Sequence, residues 1–240
     1  MDRFFIPPDR WEEFRLEGDE AHHCARVMRK GAGDAVEVFD GAGRWARAEV
    51  TAAGSDTVAL AKREEGRGAP LVPQVGLCVA IPKGKTMELV VQKAVELGVA
   101  RIQPLVTERT VVKVHDAGKK QSKWQRVALE ACKQCGQNVL PVVAAPQAVG
   151  DWLPGRGEGA AGLVASLAGG AREFRGVLRG FAEPPAAVDL LIGPEGDFTP
   201  EEIAAAVAAG FVPVSLGGIV LRVETAALYA LSALRYEFGA

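Results

Sequence analysis

Apolar and polar positions divide the chain into two textures. Val36 and Val38 alternate with charged or small residues, Asp40-Gly41 and Ala42-Gly43 supply turn signals, and Trp45 resumes an extended run. Alternation at period two with closely spaced turns predicts a small antiparallel sheet or barrel over residues 1–68. The charge, Gly and Pro of EEGRGAP (64–70) mark a linker, placed at residues 69–74 ahead of a second domain at 75–240. From residue 73 onward, apolar runs VGLCVAI (75–81), RIQPLV (101–106), GLVASL (162–167), VDLLIG (188–193) and FVPVSL (211–216) alternate with helical patterns. That order predicts an α/β domain with a largely parallel sheet.

Four helices can be placed. Met87, Val90, Val91, Ala94 and Val95 share one helical face, and Gly98 follows as a breaker. Trp124, Val127, Ala128, Ala131 and Cys135 form a second stripe. In TPEE, Thr199 at the N-cap, Pro200 at N1 and Glu202 at N3 make a capping box, and that helix ends at Gly210. The last helix, ETAALYALSALRYEF, brings Ala226, Tyr229, Ala230 and Ala233 to one side, a face that fits a dimer surface and a core helix equally.

Composition narrows the class. At 240 residues and 48% hydrophobic, the chain can bury a substantial core. Its net charge of −2 supplies no global field for nucleic acid, so RNA binding needs a local patch. MDRFFIPPDR has no charged n-region followed by an apolar stretch, and no run reaches 18 apolar residues. These features argue against secretion and membrane spanning and point to the cytoplasm. Cys132 and Cys135 are a lone C-x-x-C pair, which packing explains more readily than metal, and no metal site is expected. His22, His23 and His115 match no metalloprotease pattern. Dinucleotide, nucleotide-hydrolase and nucleophile-elbow motifs are all missing; PKGKT (82–86) lacks the upstream glycine of a phosphate loop and reads as a turn.

What remains is glycine-rich turns after apolar strands, the place where open sheets hold ligands. LLIGPEGDF puts Gly193 and Gly196 between a strand and a helix N-terminus, and SLGGIVLRVETAA does the same with Gly217 and Gly218. Glycines there let backbone groups face a flat ligand. Spacing alone fits tight turns equally well.

The segments LIGPEGDFTPEEI (191–203), LGGIVLRVETAALYAL (216–231), KTMELVVQKAVELG (85–98), PLVTER (104–109) and KWQRVALEACKQCG (123–136) closely resemble the bacterial 16S ribosomal RNA uridine-N3 methyltransferase family of the SPOUT superfamily. HHCARVMRKGAGDAVEVFDG (22–41) is similar to its PUA-like RNA-binding domain. The resemblance implies an α/β SPOUT-type C-terminal domain with a deep trefoil knot, preceded by a small PUA-like β-barrel. It also implies a homodimer, S-adenosyl-L-methionine as cofactor, and 16S ribosomal RNA in the small subunit as partner. Matched residue by residue, it assigns Ala165, Ser166 and Leu167, then Gly193, Pro194, Glu195 and Gly196, then Leu216, Gly217 and Leu221 to the cofactor. Arg222, Glu224, Thr225 and Ala226 match the segment that closes the knot and are assigned by it to the cofactor as well. Ile219 and Val223 stand where the commoner pattern has arginine and threonine, leaving Arg222 as the segment's only arginine.

The reaction so implied asks for removal of the uracil N3 proton and stabilisation of the imide anion. Arg222 and Arg109 are candidates for holding that charge, and Glu195 is a weaker candidate for accepting the proton, since a helix N-terminus favours its charged form. Residues 101–133 carry eight Lys or Arg against three acids. From that segment Arg109, Lys113, Lys123, Arg126 and Lys133, with Arg26, Arg29 and Lys30 of the first domain, are candidate RNA contacts. Two alternatives stay open: a SPOUT enzyme acting on another RNA position, and a non-catalytic RNA-binding assembly protein.

Overall fold

A computed structural model describes residues 1–112, 116–157 and 159–239. The chain forms two compact units. The first comprises Met1–Pro70 together with Leu129–Leu140, and the second comprises Leu71–Ala128 and Pro141–Ala240. The first unit is therefore discontinuous in sequence, which a linear reading of composition did not reveal.

In the first unit, β1 (Arg3–Phe5), β2 (Arg15–Glu17), a short α1 (Gly18–His22), β3 (Ala35–Phe39), β4 (Arg44–Ala53) and β5 (Thr57–Arg67) build a five-stranded sheet in the order β1-β3-β4-β5-β2. The sheet is mixed rather than wholly antiparallel, because β1 runs parallel to β3. Val36 and Val38 face a core with Phe4, Ile6, Trp11, Leu16 and Val50, as their alternation requires. The first four residues of the EEGRGAP run, Glu64–Arg67, belong to β5, with Gly66 opposite Trp45. A Cβ on Gly66 would stand 2.6–2.8 Å from the indole. Glycine here marks close approach of a ring, not a chain break. Arg3 Nη1 donates to the carbonyls of Cys132 (2.8 Å) and Gln137 (3.3 Å), binding the 129–140 segment into this unit.

The second unit contains β6 (Gln74–Ala80), α2 (Thr86–Glu96), β7 (Arg101–Val106), α3 (Ala117–Cys135, whose end joins the first unit), β8 (Val142–Val143), β9 (Gln147–Ala148), α4 (Val149–Trp152), β10 (Ala161–Ala165), β11 (Arg172–Glu173), α5 (Phe174–Arg179), β12 (Ala187–Ile192), α6 (Pro200–Ala208), β13 (Phe211–Ser215) and α7 (Val223–Phe238). Its sheet runs β11-β13-β10-β12-β6-β7-β8, with β9 also beside β7, and every described pairing is parallel. Parallel strands buried on both faces need near-continuous apolar runs, and β6 and β12 have them.

Asp189 interrupts the apolar run of β12. Its carboxylate is 1% exposed, meets the Arg101 guanidinium directly and lies 3.4 Å from Arg156 Nε. Gly76 of β6 and Gly162 of β10 flank it in register. A Cβ at either glycine would collide with this cluster, 2.6 Å from Asp189 Oδ1 in one case and 2.8 Å from Arg156 Nη1 in the other. Neighbouring Cys78 is buried; burial, followed by the charge of Asp189, pushes its thiol above the ordinary range.

The final helix buries Val223, Ala226, Ala227, Ala230, Leu231 and Leu234 against the sheet and α2. The predicted stripe included Tyr229, but that ring is half exposed because the helix turns it to the solvent side. Arg235 closes the C-terminal end of α2: Nε donates to Leu97 O at 3.0 Å, and the guanidinium also reaches Gly98 O and Pro73 O. Gly98, at φ 76°, is the predicted breaker.

Candidate active site

Because the strands are parallel, the loops after β10, β12 and β13 emerge at the same carboxyl edge. They line one pocket with about 540 Å³ of unfilled space open to solvent. The first loop contributes Ala165, Ser166 and Leu167. The second contributes Ile192, Gly193, Pro194, Glu195 and Asp197. The third contributes Leu216, Gly217, Ile219, Val220 and Leu221, while Val223 and Ala226 of α7 complete the wall.

Two glycines shape it for different reasons. A Cβ on Gly193 would stand 3.0–3.2 Å from Phe198, which closes behind the loop. Gly217 has φ 127°, a conformation that side chains rarely permit. Leu167, Ile219 and Val220 leave 60%, 80% and 69% of their surfaces uncovered at the rim. Three large apolar side chains exposed together beside a concavity mark a binding surface.

Asp197 ties the first two loops. It adopts φ 61°, a left-handed conformation that Asp tolerates better than most residues. One carboxylate oxygen accepts the Leu167 N–H at 2.9 Å and the other its neighbour's, Phe198 N–H, at 2.8 Å. Ser166 Oγ accepts the Ala168 N–H at 3.1 Å, and the Ser166 N–H donates to Val214 O at 3.0 Å. The predicted capping box is present: Thr199 Oγ1 accepts the Glu202 N–H, and Glu202 Oε2 accepts the Thr199 N–H at 2.9 Å. Its second oxygen takes the Glu108 N–H at 2.9 Å, fixing the loop after β7.

Of the residues matched by resemblance to the cofactor, ten line this pocket; Gly196, Arg222, Glu224 and Thr225 stand outside its lining. Gly196 instead offers its carbonyl to Arg109 Nη1 at 2.7 Å, and the same nitrogen lies 3.3 Å from Phe198 O. Part of the Arg109 guanidinium therefore anchors the loop. Glu195 is exposed, and its Oε1 accepts the Lys83 backbone N–H at 3.3 Å. Arg222 is the N-cap residue of α7, exposed, with no side-chain partner among the described residues. Ile192, Asp197, Ile219, Val220 and Val223 were missed. Ile219 and Val220 lay inside the quoted glycine-rich segment but read as ordinary apolar residues, and nothing in the sequence marked the bridging role of Asp197.

The expected RNA contacts divide. Arg26 and Arg29 are exposed, with Arg29 at φ 55°. Lys30 pairs with Asp2 at 2.9 Å, and each shifts the other: the Lys30 ammonium is pushed up and the Asp2 carboxyl down. Lys133 corrects the sequence expectation. Its side chain is 8% exposed and held between Glu20 and Glu130, so it is a buried strut and not a phosphate contact. Lys123 is bound to Glu88 at 2.6 Å. Counting charges along a segment misses acids that the fold brings from elsewhere. Arg126 is exposed, and Lys113 lies outside the described residues. Cys132 is buried, which pushes its thiol up to about 12. No group of three potential metal ligands occurs among the described residues.

Residues 69–235 match the RNA methyltransferase domain family, and residues 16–61 match the RNA methyltransferase PUA domain. The ribosomal RNA small subunit methyltransferase E of a Synechocystis species is 35% identical over 236 residues, covering 96% of this chain and 76% of that protein. The Bacillus subtilis protein of the same name is 32% identical, covering 99% and 97%. Among solved structures, the Neisseria gonorrhoeae ribosomal RNA small subunit methyltransferase E bound to S-adenosyl methionine aligns with a TM-score of 0.87 at 29% identity, over 98% of this chain and 97% of that one. A Legionella pneumophila methyltransferase in complex with the same cofactor aligns at 0.86 and 33%, with the same coverage. With a PUA-like unit ahead of a SPOUT-type parallel sheet, the chain belongs to the ribosomal RNA small subunit methyltransferase E family.

Proposed function

We propose that this chain uses S-adenosyl-L-methionine to methylate N3 of a uridine in 16S ribosomal RNA, on the small ribosomal subunit. The observation that carries the reading is the single pocket made by three loops at the carboxyl edge of a parallel sheet, glycine-lined with an uncovered apolar rim. The donor set fits the cofactor: Gly193 and Gly217 leave backbone groups open to a flat ring, and Leu167, Ile219 and Val220 offer apolar cover. When bound, S-adenosylmethionine supplies a methyl group already activated on a sulfonium. Arg222 would then donate hydrogen bonds to the uracil carbonyl oxygens as N3 loses its proton. Arg109 positions the Gly193–Asp197 loop through the Gly196 carbonyl. Glu195, which lines the pocket with one oxygen engaged by the Lys83 amide, is the candidate to accept that proton.

Topology supports the deep trefoil knot. β13 is separated from β12 by β10, yet α7 packs on α2, β6 and β12. The return segment 216–222 must pass the other two loops, with which it shares the pocket. Exposed Tyr229 and Tyr236 on α7 support a homodimer, which sedimentation would detect as a doubled mass. Exposed Arg26 and Arg29 are the first unit's candidate RNA contacts. No helix among the described residues is long and apolar enough to cross a membrane, and an RNA substrate of this kind sets the enzyme in the cytoplasm.

The test is transfer from labelled S-adenosylmethionine to small subunits lacking the modification, followed by nucleoside analysis. The expected product is 3-methyluridine; a ribose-methylated nucleoside would move the substrate position, and no transfer would overturn the assignment. Asp197→Ala should weaken cofactor binding about tenfold, roughly 1.4 kcal/mol, because only the Leu167 amide bond joins the two pocket loops and water takes over part of that contact once the carboxylate is gone. Calorimetry reads this, with circular dichroism checking the fold. An unchanged Kd would show that the bridge does not shape the pocket.

A further inference from the structure

The turn that closes β6 has no role in the cofactor pocket, yet it is tied to it. Pro82 is buried, Gly84 takes the turn at φ 67°, and Lys83 and Lys85 stand exposed on either side of it. The Lys83 backbone N–H donates to Glu195 Oε1, so the pocket loop and this turn are joined through the main chain. Neither lysine ammonium has a carboxylate partner among the described residues. Glu195 meets Lys83 through the backbone amide and not through the ammonium, and Glu88, whose amide donates to the Lys85 carbonyl, is paired with Lys123 at 2.6 Å. Elsewhere in this chain basic side chains are commonly paired, as Lys30, Lys93, Lys123 and Lys133 are. Two free ammonium groups at the pocket edge are therefore available to a polyanion.

We propose that Lys83 and Lys85 seat the RNA phosphates beside the nucleotide being methylated. The proposal rests on the reading of the pocket as an RNA methyltransferase site and extends it to the RNA backbone. The backbone contact of Lys83 matters because it couples the seated phosphate to the loop carrying Glu195. A lysine provides a compact point charge suited to a phosphate oxygen without reading a base. These residues set register and affinity, whereas the pocket selects the reaction.

The experiment measures binding of the full-length protein to unmodified small subunits across a salt series. In the Lys83→Gln, Lys85→Gln double variant, the slope of log K against log salt should become shallower by about 1 for each lysine. The Kd for S-adenosylmethionine should stay as in the parent, because the Lys83 amide survives the substitution. Lys83→Arg with Lys85→Arg should restore the slope. An unchanged slope in the glutamine variant overturns the proposal. Because the readout is binding, a parent protein that binds subunits but transfers no methyl group would sink the enzymatic reading and still let the slope judge the lysines. A parent that does not bind subunits overturns both.

Discussion

Arg222→Ala lowers kcat on small subunits by about 100- to 1,000-fold while leaving the Kd for S-adenosylmethionine within a factor of about three, the loss expected when one donor to a developing oxyanion is removed. Arg222 follows Leu221, which lines the pocket, but it is absent from the lining itself. Its guanidinium is exposed and has no partner among the described residues, so it is not spent on holding the fold. A planar fork of N–H donors suits the two carbonyls that flank N3 and share the charge once the proton leaves. Lysine has one donor centre and cannot span both, so Arg222→Lys should recover only part of the rate. Single-turnover kinetics at saturating cofactor separates this from a binding defect. A variant within threefold of the parent in kcat would remove Arg222 from the chemistry.

Asp189→Ala should cost about 3–5 kcal/mol of stability, the usual result of removing one partner from a buried ion cluster. The Arg101 side chain is 43% exposed and can turn to water, but that of Arg156 is only 10% exposed. Arg156 is further held by Ala209 O at 3.0 Å and lies over the Phe211 ring, 4.3 Å from its centroid. With the carboxylate gone, that guanidinium stays buried with carbonyls and a ring but no counter-charge. Urea unfolding should show a lower midpoint with an unchanged slope. A shift below about 1 kcal/mol would mean that the cluster relaxes freely and that Gly76 and Gly162 serve some other purpose. The cluster lies early along the strands and the pocket at their carboxyl ends, so cofactor affinity measured at low temperature should change little.

Strands and helices were readable where burial imposes a period. RIQPLV coincides with β7, the stripe from Met87 to Val95 is buried as written, and TPEE forms its capping box. These features are local, set by neighbours three or four residues away. The glycine-rich turns were readable as a ligand site only through resemblance, because a tight turn and a cradle share the same spacing. Lys133 and Lys123 looked like part of a basic face because their acids, Glu20 and Glu88, are 113 and 35 residues distant. Asp197 escaped notice for the same reason: its partner, the Leu167 amide, is 30 residues upstream. Asp189 had no reading at all, since a lone acid in an apolar run gives no sign of the arginines from two other segments that neutralise it.

The split membership of the first unit has a consequence for synthesis. Residues 129–140 carry the carbonyls that receive Arg3, and the Leu140 N–H reaches Gly41 O at 2.9 Å. As the chain leaves the ribosome from its N-terminus, those partners emerge only after β6, α2 and β7 have been made. The domain translated first is thus finished by a piece translated in the middle, and a fragment ending at Pro70 would present an incomplete surface to any RNA it met.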